Sequence, residues 1–184
     1  MKKYLITDPL YYTNDEIIFA EKLENNLQNN QIDIACFRDK KSLNFKNLAK
    51  LFIGICKKYE VEEILINSDY QLAKQLGATG VHLNSQQFDK ISEAKNLSLY
   101  VVISCHNLDD IEKAQKNYVN CVTYSPIFDT PNKGKAKGIS VLKQALSLYE
   151  DVDIIALGGI ISEEQVKQIS NSKAYGFASI RYFI

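Results

Sequence analysis

The chain has 184 residues and a mass of 20.9 kDa, which is enough to bury about 70% of the extended chain's surface in one core and favours a single domain over residues 1–184. Its 46% hydrophobic and 24% charged residues are typical of a globular protein and argue against a disordered chain. Twenty-two basic residues balance twenty-two acidic ones, which excludes a general electrostatic attraction to nucleic acid or to an anionic membrane.

The sequence also lacks the signals of membrane or secreted proteins. No apolar run approaches the ~20 residues of a membrane span, and charged residues interrupt the N-terminal segment at once. The four cysteines are too dispersed for a zinc ribbon or a redox pair, so free thiols are expected. We therefore expect a cytoplasmic protein that has neither a nucleic-acid nor a membrane partner.

Short β-branched runs alternate along the chain with longer amphipathic stretches. Strands are predicted at residues 3–7, 32–38, 63–67, 80–83, 99–104, 121–125, 153–157 and 175–180. Helices are predicted at residues 15–29, 44–59, 69–76, 85–95, 108–117, 140–149 and 163–170. Strict alternation predicts a parallel sheet, and eight strands predict a compact α/β TIM (β/α)₈ barrel. An open doubly wound sheet is the alternative. Only residues 181–184 follow the last strand, so the eighth helix is missing or very short.

The ends of the predicted strands carry groups suited to anions, at the edge where such barrels place their active sites. Arg38 and Lys40 stand two apart and offer two cations to one ligand. Gly158 and Gly159 would let the backbone approach a phosphate and expose its N–H groups. A diphosphate or a phosphate ester is the expected ligand. The alternative for Arg38 and Lys40 is a solvated surface pair, and the alternative for Gly158 and Gly159 is a plain turn.

The segment after the sixth strand repeats this chemistry. Lys133 and Lys135 lie in a glycine-containing loop beside Thr130 and Asn132, whose side chains can supply hydrogen bonds. A mobile charged loop without a ligand is the alternative interpretation.

Both histidines fall on or after predicted strands. His82 is either a barrel-lining residue held by hydrogen bonds or a catalyst. His106 follows the fifth strand and could titrate near neutral pH, or it caps the next helix. Cys36 and Cys105 could approach each other across the barrel mouth, or they are ordinary buried thiols.

Seven segments of the chain resemble one family. They are residues 4–8 (YLITD), 37–40 (FRDK), 65–67 (LIN), 77–83 (GATGVHL), 104–107 (SCHN), 124–130 (YSPIFDT) and 156–160 (ALGGI). In order and spacing they resemble the thiamine phosphate synthase/TenI superfamily, from Tyr4 to Arg181. The resemblance implies a TIM barrel. The synthase joins a hydroxymethylpyrimidine diphosphate to a thiazole phosphate and releases pyrophosphate with the help of Mg²⁺, whereas some TenI proteins are thiazole tautomerases.

The resemblance also implies roles for individual positions. The residues that match the pyrimidine diphosphate ligands are Arg38, Lys40, Asn67, Ser104 and Lys133. The residues at the thiazole phosphate site are Thr130, Asn132, Gly158, Gly159, Ile180 and Arg181. His106 and Lys133 are the candidates for a catalytic role.

The departures from the family pattern matter most. Ser68 and Gln87 stand where the synthase holds Mg²⁺ with two aspartates, and neither brings a charge. Cys36 replaces the glutamine that reads the pyrimidine, and Arg181 replaces a small hydroxyl residue. Pro126 stands at the position of the TenI catalytic histidine and cannot move a proton.

Three functional hypotheses follow. The first is a TenI-like protein that binds a thiazole phosphate or a related phosphorylated precursor without the two-aspartate Mg²⁺ site, and so without a cofactor. The second is a divergent synthase, which would need Mg²⁺. The third is a non-catalytic binder of a phosphorylated ligand. A homodimer is expected, because Tyr182 and Phe183 give the last residues an apolar character unusual for a free tail. Those two side chains should be largely buried, and Arg181 should point toward the phosphate.

Overall fold

The computed structural model describes residues 1–39 and 42–184, so Lys40 and Lys41 lie outside the described part of the chain. Eight strands form a closed barrel in sequence order, and every neighbouring pair, including β8 with β1, is parallel. The strands are β1 (Lys2–Ile6), β2 (Ile34–Phe37), β3 (Glu63–Asn67), β4 (Gly80–Leu83), β5 (Tyr100–Cys105), β6 (Cys121–Tyr124), β7 (Asp153–Leu157) and β8 (Gly176–Ser179). The predicted TIM barrel is confirmed, and the open-sheet alternative is wrong.

A helix follows each of the first seven strands. The helices are α1 (Pro9–Tyr12), α2 (Glu16–Asn29), α3 (Phe45–Lys58), α4 (Tyr70–Leu76), α5 (Ile91–Asn96), α6 (Leu108–Lys116), α7 (Gly138–Leu148) and α8 (Glu163–Asn171), with a 3₁₀ turn at Phe88–Lys90 before α5. The sequence missed α1, a single turn that begins where the Asp8 carboxylate accepts a hydrogen bond from the backbone N–H of Leu10.

One predicted helix boundary was wrong. The helix expected over residues 85–95 starts later, with the 3₁₀ turn and then α5. The reason is local side-chain bonding, because the Asn84 Oδ1 accepts from the backbone N–H of Gln86 and holds this segment as a turn. Asn44 precedes α3 as expected but makes no capping hydrogen bond with its side chain.

The barrel buries both faces of its strands, as their continuous apolar runs require. Outward-facing side chains pack under the helices, while a smaller interior cluster includes Tyr4, Cys36, Leu65 and Val102. The accessible surface is 9376 Å², close to the roughly 9,000 Å² expected for one compact unit of this mass. No helix of the described residues is long and apolar enough to cross a membrane.

The residues after β8 form a turn. Residues 180–184, all within the described part, form no helix. Phe183 is 3% exposed and stacks on Phe177 at 5.7 Å between ring centroids. Tyr182 is only half-buried, and its hydroxyl donates to Glu163. Phe183 therefore packs against β8 and is buried as expected, whereas Tyr182 is less buried than expected. The homodimer stays a prediction.

Candidate ligand-binding site at the barrel rim

The carboxyl ends of all eight strands meet at one rim, and the ends of β1 and β2 build its cationic part. The Arg38 guanidinium donates from Nη1 to Asp8 Oδ2 at 2.5 Å. Thr7 Oγ1 accepts from the Arg38 backbone N–H at 2.9 Å and donates to the Arg38 carbonyl at 3.3 Å. We call Thr7, Asp8 and Arg38 the arginine corner. It fixes a partly exposed guanidinium whose further N–H groups suit a phosphate.

A second part of the rim, after β3 and β4, is uncharged. The Asn84 Nδ2 donates to Gln87 Oε1 at 2.7 Å and to Ser68 Oγ at 3.3 Å. The Gln87 Nε2 donates in turn to the Ser68 carbonyl at 2.9 Å. We call Ser68, Asn84 and Gln87 the amide corner. Its three side chains tie the loop after β3 to the loop after β4.

The amide corner does not fit the Mg²⁺ site that the family resemblance implies. Mg²⁺ is held in proteins by one or two carboxylates together with substrate phosphates and water, but Ser68 and Gln87 are neutral and bonded to each other. The nearby Asp69 is exposed, and its carboxylate accepts from the backbone N–H of Leu72 as the cap of α4. Across residues 1–39 and 42–184, no group of three or more His, Cys, Asp or Glu side chains could hold a metal ion.

His82 lies inside the barrel at the centre of a hydrogen-bond network. Its Nδ1 is 2.8 Å from the Tyr4 hydroxyl. Its Nε2 is 3.0 Å from Ser104 Oγ and 3.3 Å from Thr123 Oγ1. Burial, with a smaller contribution from the Arg38 charge, lowers the pKa of His82 to about 4. The imidazole is therefore neutral at physiological pH, as expected of a barrel-lining histidine.

Asn67 connects this interior network to the rim. Its Nδ2 donates to the His82 carbonyl at 3.1 Å, and its Oδ1 accepts from the Ser68 hydroxyl at 3.4 Å. Asn67 and Ser104 are both half-buried, which leaves each of them partly open to the barrel mouth.

His106 is exposed at the end of β5. Its Nδ1 lies 3.3 Å from Ser125 Oγ and 3.4 Å from the Ser125 carbonyl. The expectation that His106 might cap the next helix is wrong, because the Asn107 side chain caps α6 by accepting from the backbone N–H of Asp110 at 2.7 Å. The catalytic role of His106 stays a prediction.

The loop after β6 carries the remaining cations. Thr130 Oγ1 donates to the Phe128 carbonyl at 3.0 Å, and the Lys133 backbone N–H donates to the Thr130 carbonyl at 3.1 Å. Asn132, Lys133 and Lys135 are exposed. Lys133 thus lies at the same rim as Arg38, but its side chain is solvated.

Gly158 and Gly159 follow β7 and lie against this loop. Both have positive φ, 98° and 70°. A Cβ on Gly158 would lie 2.8 Å from Pro126 Cα, and one on Gly159 would lie 2.5 Å from the Asp129 carbonyl oxygen. Packing of the loop therefore requires glycine at both positions, whether or not a ligand binds there.

Three backbone N–H groups after β7 and β8 make no hydrogen bond within the described residues. Among the described residues, no acceptor is found for the N–H groups of Gly159, Ile180 and Arg181. Ile180 is half-buried and the Arg181 side chain is exposed. The loops after strands seven and eight are where many barrels of this type bind a phosphate.

All four cysteines are free and buried. Burial raises the pKa of the Cys36 thiol to about 12 and also raises the pKa of the Cys105 thiol. A buried, protonated thiol is a poor nucleophile, which supports the interpretation of both as ordinary buried thiols.

Sequence reasoning missed several members of the site. Asp8, Asn84 and Ser125 were not chosen, although Asn84 and Ser125 directly follow β4 and β6 and Asp8 lies two residues after β1. A position just after a strand was the sequence feature that could have identified them. Tyr4 lies inside the barrel, and only the structure connects it to His82.

Comparisons with known proteins agree with this architecture. The sequence model of the family described as thiamine monophosphate synthase matches residues 3–183. The chain is 33% identical to "Putative thiamine-phosphate synthase 2" of Aquifex aeolicus, over 98% of this chain and 96% of that protein. It is 26% identical to the thiamine-phosphate synthase of Limosilactobacillus reuteri, over 98% and 87%. A solved structure of thiamine phosphate pyrophosphorylase from Pyrococcus furiosus superimposes with a TM-score of 0.84 at 19% identity, over 97% of this chain and 85% of that one, which shows the shared fold.

Proposed function

The chain belongs to the thiamine monophosphate synthase family, and from this premise we propose that it acts in thiamin biosynthesis or salvage by binding a thiazole phosphate or a related phosphorylated precursor at the barrel rim. Arg38 would supply a cation held by Asp8, and Lys133 would supply an exposed one. The free backbone N–H groups after β7 and β8 would take the remaining phosphate oxygens. Lys40, two residues beyond Arg38, is proposed as a further phosphate ligand.

The observation that carries the proposal is the amide corner. Two aspartates would hold Mg²⁺ by charge, whereas Ser68 and Gln87 are joined to each other through neutral hydrogen bonds. We therefore propose that the ligand is bound without the two-aspartate Mg²⁺ site and that its phosphate is neutralised by Arg38, Lys133 and Lys40. A phosphate monoester carries less charge than a diphosphate, so this cation set suits a thiazole phosphate better than a pyrimidine diphosphate.

The chemistry available at the rim without a metal is proton transfer. His106 is exposed beside the Ser125 hydroxyl, and an imidazole within reach of a substrate can act as a general acid or base. An isomerisation of a heterocycle needs one proton removed and one returned. His106 is our candidate for that role, and Lys133 would hold the phosphate or move the second proton.

A divergent synthase is the second candidate. It is favoured by the relatives of Aquifex aeolicus and Limosilactobacillus reuteri, whose names are those of synthases. In that case Arg38 and Lys133 would stabilise the departing pyrophosphate, a task in which a bridging cation usually contributes several kcal/mol.

A three-way assay separates the hypotheses. The protein is incubated in deuterated buffer with the thiazole phosphate, alone and together with the pyrimidine diphosphate, with and without Mg²⁺. Carbon-bound deuterium or an isomerised thiazole supports the TenI-like function. Release of pyrophosphate with formation of thiamin phosphate contradicts it and supports the synthase. Tight binding without either change identifies a non-catalytic binder. The Arg38→Ala variant should lose binding in every case, which makes it the control for contamination.

A further inference from the structure

We propose that Tyr4, acting through His82, makes the Ser104 hydroxyl a hydrogen-bond donor aimed at the bound ligand. Tyr4 and His82 would then be positioning residues, because both lie inside the barrel and act through Ser104. The inference rests on the proposed function only in its last step, the contact between Ser104 and an anionic ligand. The hydrogen-bond pattern that precedes this step can be tested without any ligand.

The pattern begins with the number of protons on the imidazole. His82 is 4% exposed and neutral, so one ring nitrogen carries a hydrogen and the other accepts one. Nδ1 contacts only the Tyr4 hydroxyl among the described residues, at 2.8 Å. Nε2 contacts two hydroxyls, Ser104 at 3.0 Å and Thr123 at 3.3 Å. Which nitrogen is protonated decides the direction of all three bonds.

Tyr4 favours one of the two tautomers. Its side chain is completely buried, and a buried phenol left without an acceptor loses the free energy of a hydrogen bond. The Tyr4 hydroxyl also bonds the Cys36 thiol, but sulfur is a weak acceptor, so Nδ1 is the stronger acceptor within reach. Tyr4 should therefore donate to an unprotonated Nδ1, and the single imidazole hydrogen then lies on Nε2.

This tautomer fixes what Ser104 can do at the rim. If Nε2–H donates to Ser104 Oγ, the serine keeps its own hydrogen free for another acceptor. In the opposite tautomer Nε2 accepts a hydrogen from one of the two hydroxyls, and Ser104 at 3.0 Å is closer than Thr123 at 3.3 Å, so the Ser104 hydrogen would be used inside the barrel. A phosphate oxygen needs a donor, and the first tautomer leaves the half-buried Ser104 its hydrogen to supply one.

The first experiment is NMR on the ligand-free protein labelled with ¹⁵N-histidine. The chain has two histidines, so a His106→Gln variant assigns both rings. Long-range ¹H–¹⁵N correlations show which nitrogen carries the hydrogen. We expect His82 to be protonated on Nε2 between pH 6 and 8. Protonation on Nδ1 overturns the inference, whatever the protein binds.

The second experiment is a double-mutant cycle with inorganic pyrophosphate as the probe. Tyr4→Phe and Ser104→Ala should each weaken pyrophosphate binding about fivefold, the scale of one net hydrogen bond. The double variant should be no weaker than Ser104→Ala alone, because both changes remove the same donor. Tyr100→Phe is the matched control, since Tyr100 also packs against the barrel interior but makes no hydrogen bond to His82 in the described structure, and it should bind normally.

The outcomes separate this inference from the proposed function. Additive losses in the double variant overturn the role of Tyr4, while the anion site itself stands. If the unmodified protein does not bind pyrophosphate or a phosphorylated thiazole, the proposed function fails, and the NMR result alone decides the tautomer. If Tyr4→Phe does not fold, the tautomer measured in the unmodified protein still supports or contradicts the assignment.

Discussion

The arginine corner follows β1 and β2, and the amide corner follows β3 and β4. The two corners lie on the same rim but differ in charge. In the arginine corner, one cation is held by a carboxylate at 2.5 Å and by the Thr7 hydroxyl. In the amide corner, three neutral side chains satisfy each other's hydrogen bonds. The arginine corner therefore holds a guanidinium at the rim, whereas the amide corner carries no charged side chain.

The contrast between the corners lies in how their side chains are held. Neutral side chains left without partners on these loops would lose hydrogen bonds when the loops order. Asn84 prevents that loss by bridging Ser68 and Gln87. In our proposal, the positive charge that an anionic ligand needs comes from the ion-paired Arg38 and the exposed Lys133.

The largest expected effect concerns His82, which lies beneath both corners. Its pKa is lowered from 6.5 to about 4, so the unfolded chain binds more protons than the folded protein between these values. The stability contributed by neutral His82 is therefore present above pH 6.5 and is lost as the pH falls through 4, by roughly 3 kcal/mol.

Denaturant unfolding from pH 7.5 to 4 checks this, with His82→Gln as the comparison. The variant should lose most of the slope between pH 6.5 and 4. Parallel pH profiles for the two proteins would contradict a neutral buried imidazole. If the variant does not fold, NMR titration of His82 in the unmodified protein gives its pKa directly.

Arg38→Ala tests the arginine corner itself. We expect affinity for a phosphorylated thiazole to fall by roughly 1.5–3 kcal/mol, the range of charge-assisted hydrogen bonds, with little change in melting temperature because the side chain is partly exposed. Calorimetric titration measures the affinity. Lys58→Ala is the matched control, since Lys58 is an ion-paired cation on α3 away from the rim. Equal losses in both variants would mean that only net charge matters.

Lys133→Ala tests whether an exposed cation contributes less to ligand affinity than the ion-paired Arg38. Lys133 is exposed, so its contribution should lie near the lower end of that range, about 1.5 kcal/mol, and should shrink in salt because exposed charges are screened. Binding isotherms at low and high ionic strength measure both properties. A loss larger than that of Arg38→Ala, insensitive to salt, would place the main phosphate contact in the loop after β6.

The smallest effect is expected from restoring carboxylates to the amide corner. Ser68→Asp with Gln87→Asp breaks the neutral network and places two like charges together, which should destabilise the protein by roughly 1 kcal/mol. Added Mg²⁺ should reverse the loss. Thermal melts with and without Mg²⁺ measure this, and Gln86→Asp controls for a single added charge on the same exposed turn. A double variant indifferent to Mg²⁺ would show that this corner cannot be converted into a metal site.

The barrel could be predicted from sequence because each strand is an apolar run covered on both faces, as Ile64, Leu65 and Ile66 illustrate. The single-turn helix α1 could not, since four residues show no helical period. The positions of Arg38 and Ser104 at strand ends were also within reach. The pair formed by Asp8 and Arg38 was not, because its partners are 30 residues apart and only the closure of β1 onto β2 brings them together.

The hydrogen bonds of the amide corner could not be predicted from the sequence either. Residue types alone indicated that Ser68 and Gln87 bring no charge. That they are bonded to each other through Asn84 depends on the left-handed backbone at Ser68, with φ of 66°, and on the turn that delays the helix after β4. Neither feature has a sequence signal strong enough to have been used.

The central claim is that a phosphorylated ligand binds this rim without a two-carboxylate Mg²⁺ site. The most direct test is calorimetric titration of the unmodified protein with the thiazole phosphate, repeated in excess Mg²⁺ and in excess chelator. We expect dissociation constants that agree within about twofold, since about 0.4 kcal/mol or less would separate them. A tenfold or larger gain of affinity in Mg²⁺, abolished by Ser68→Ala or Gln87→Ala, would contradict it.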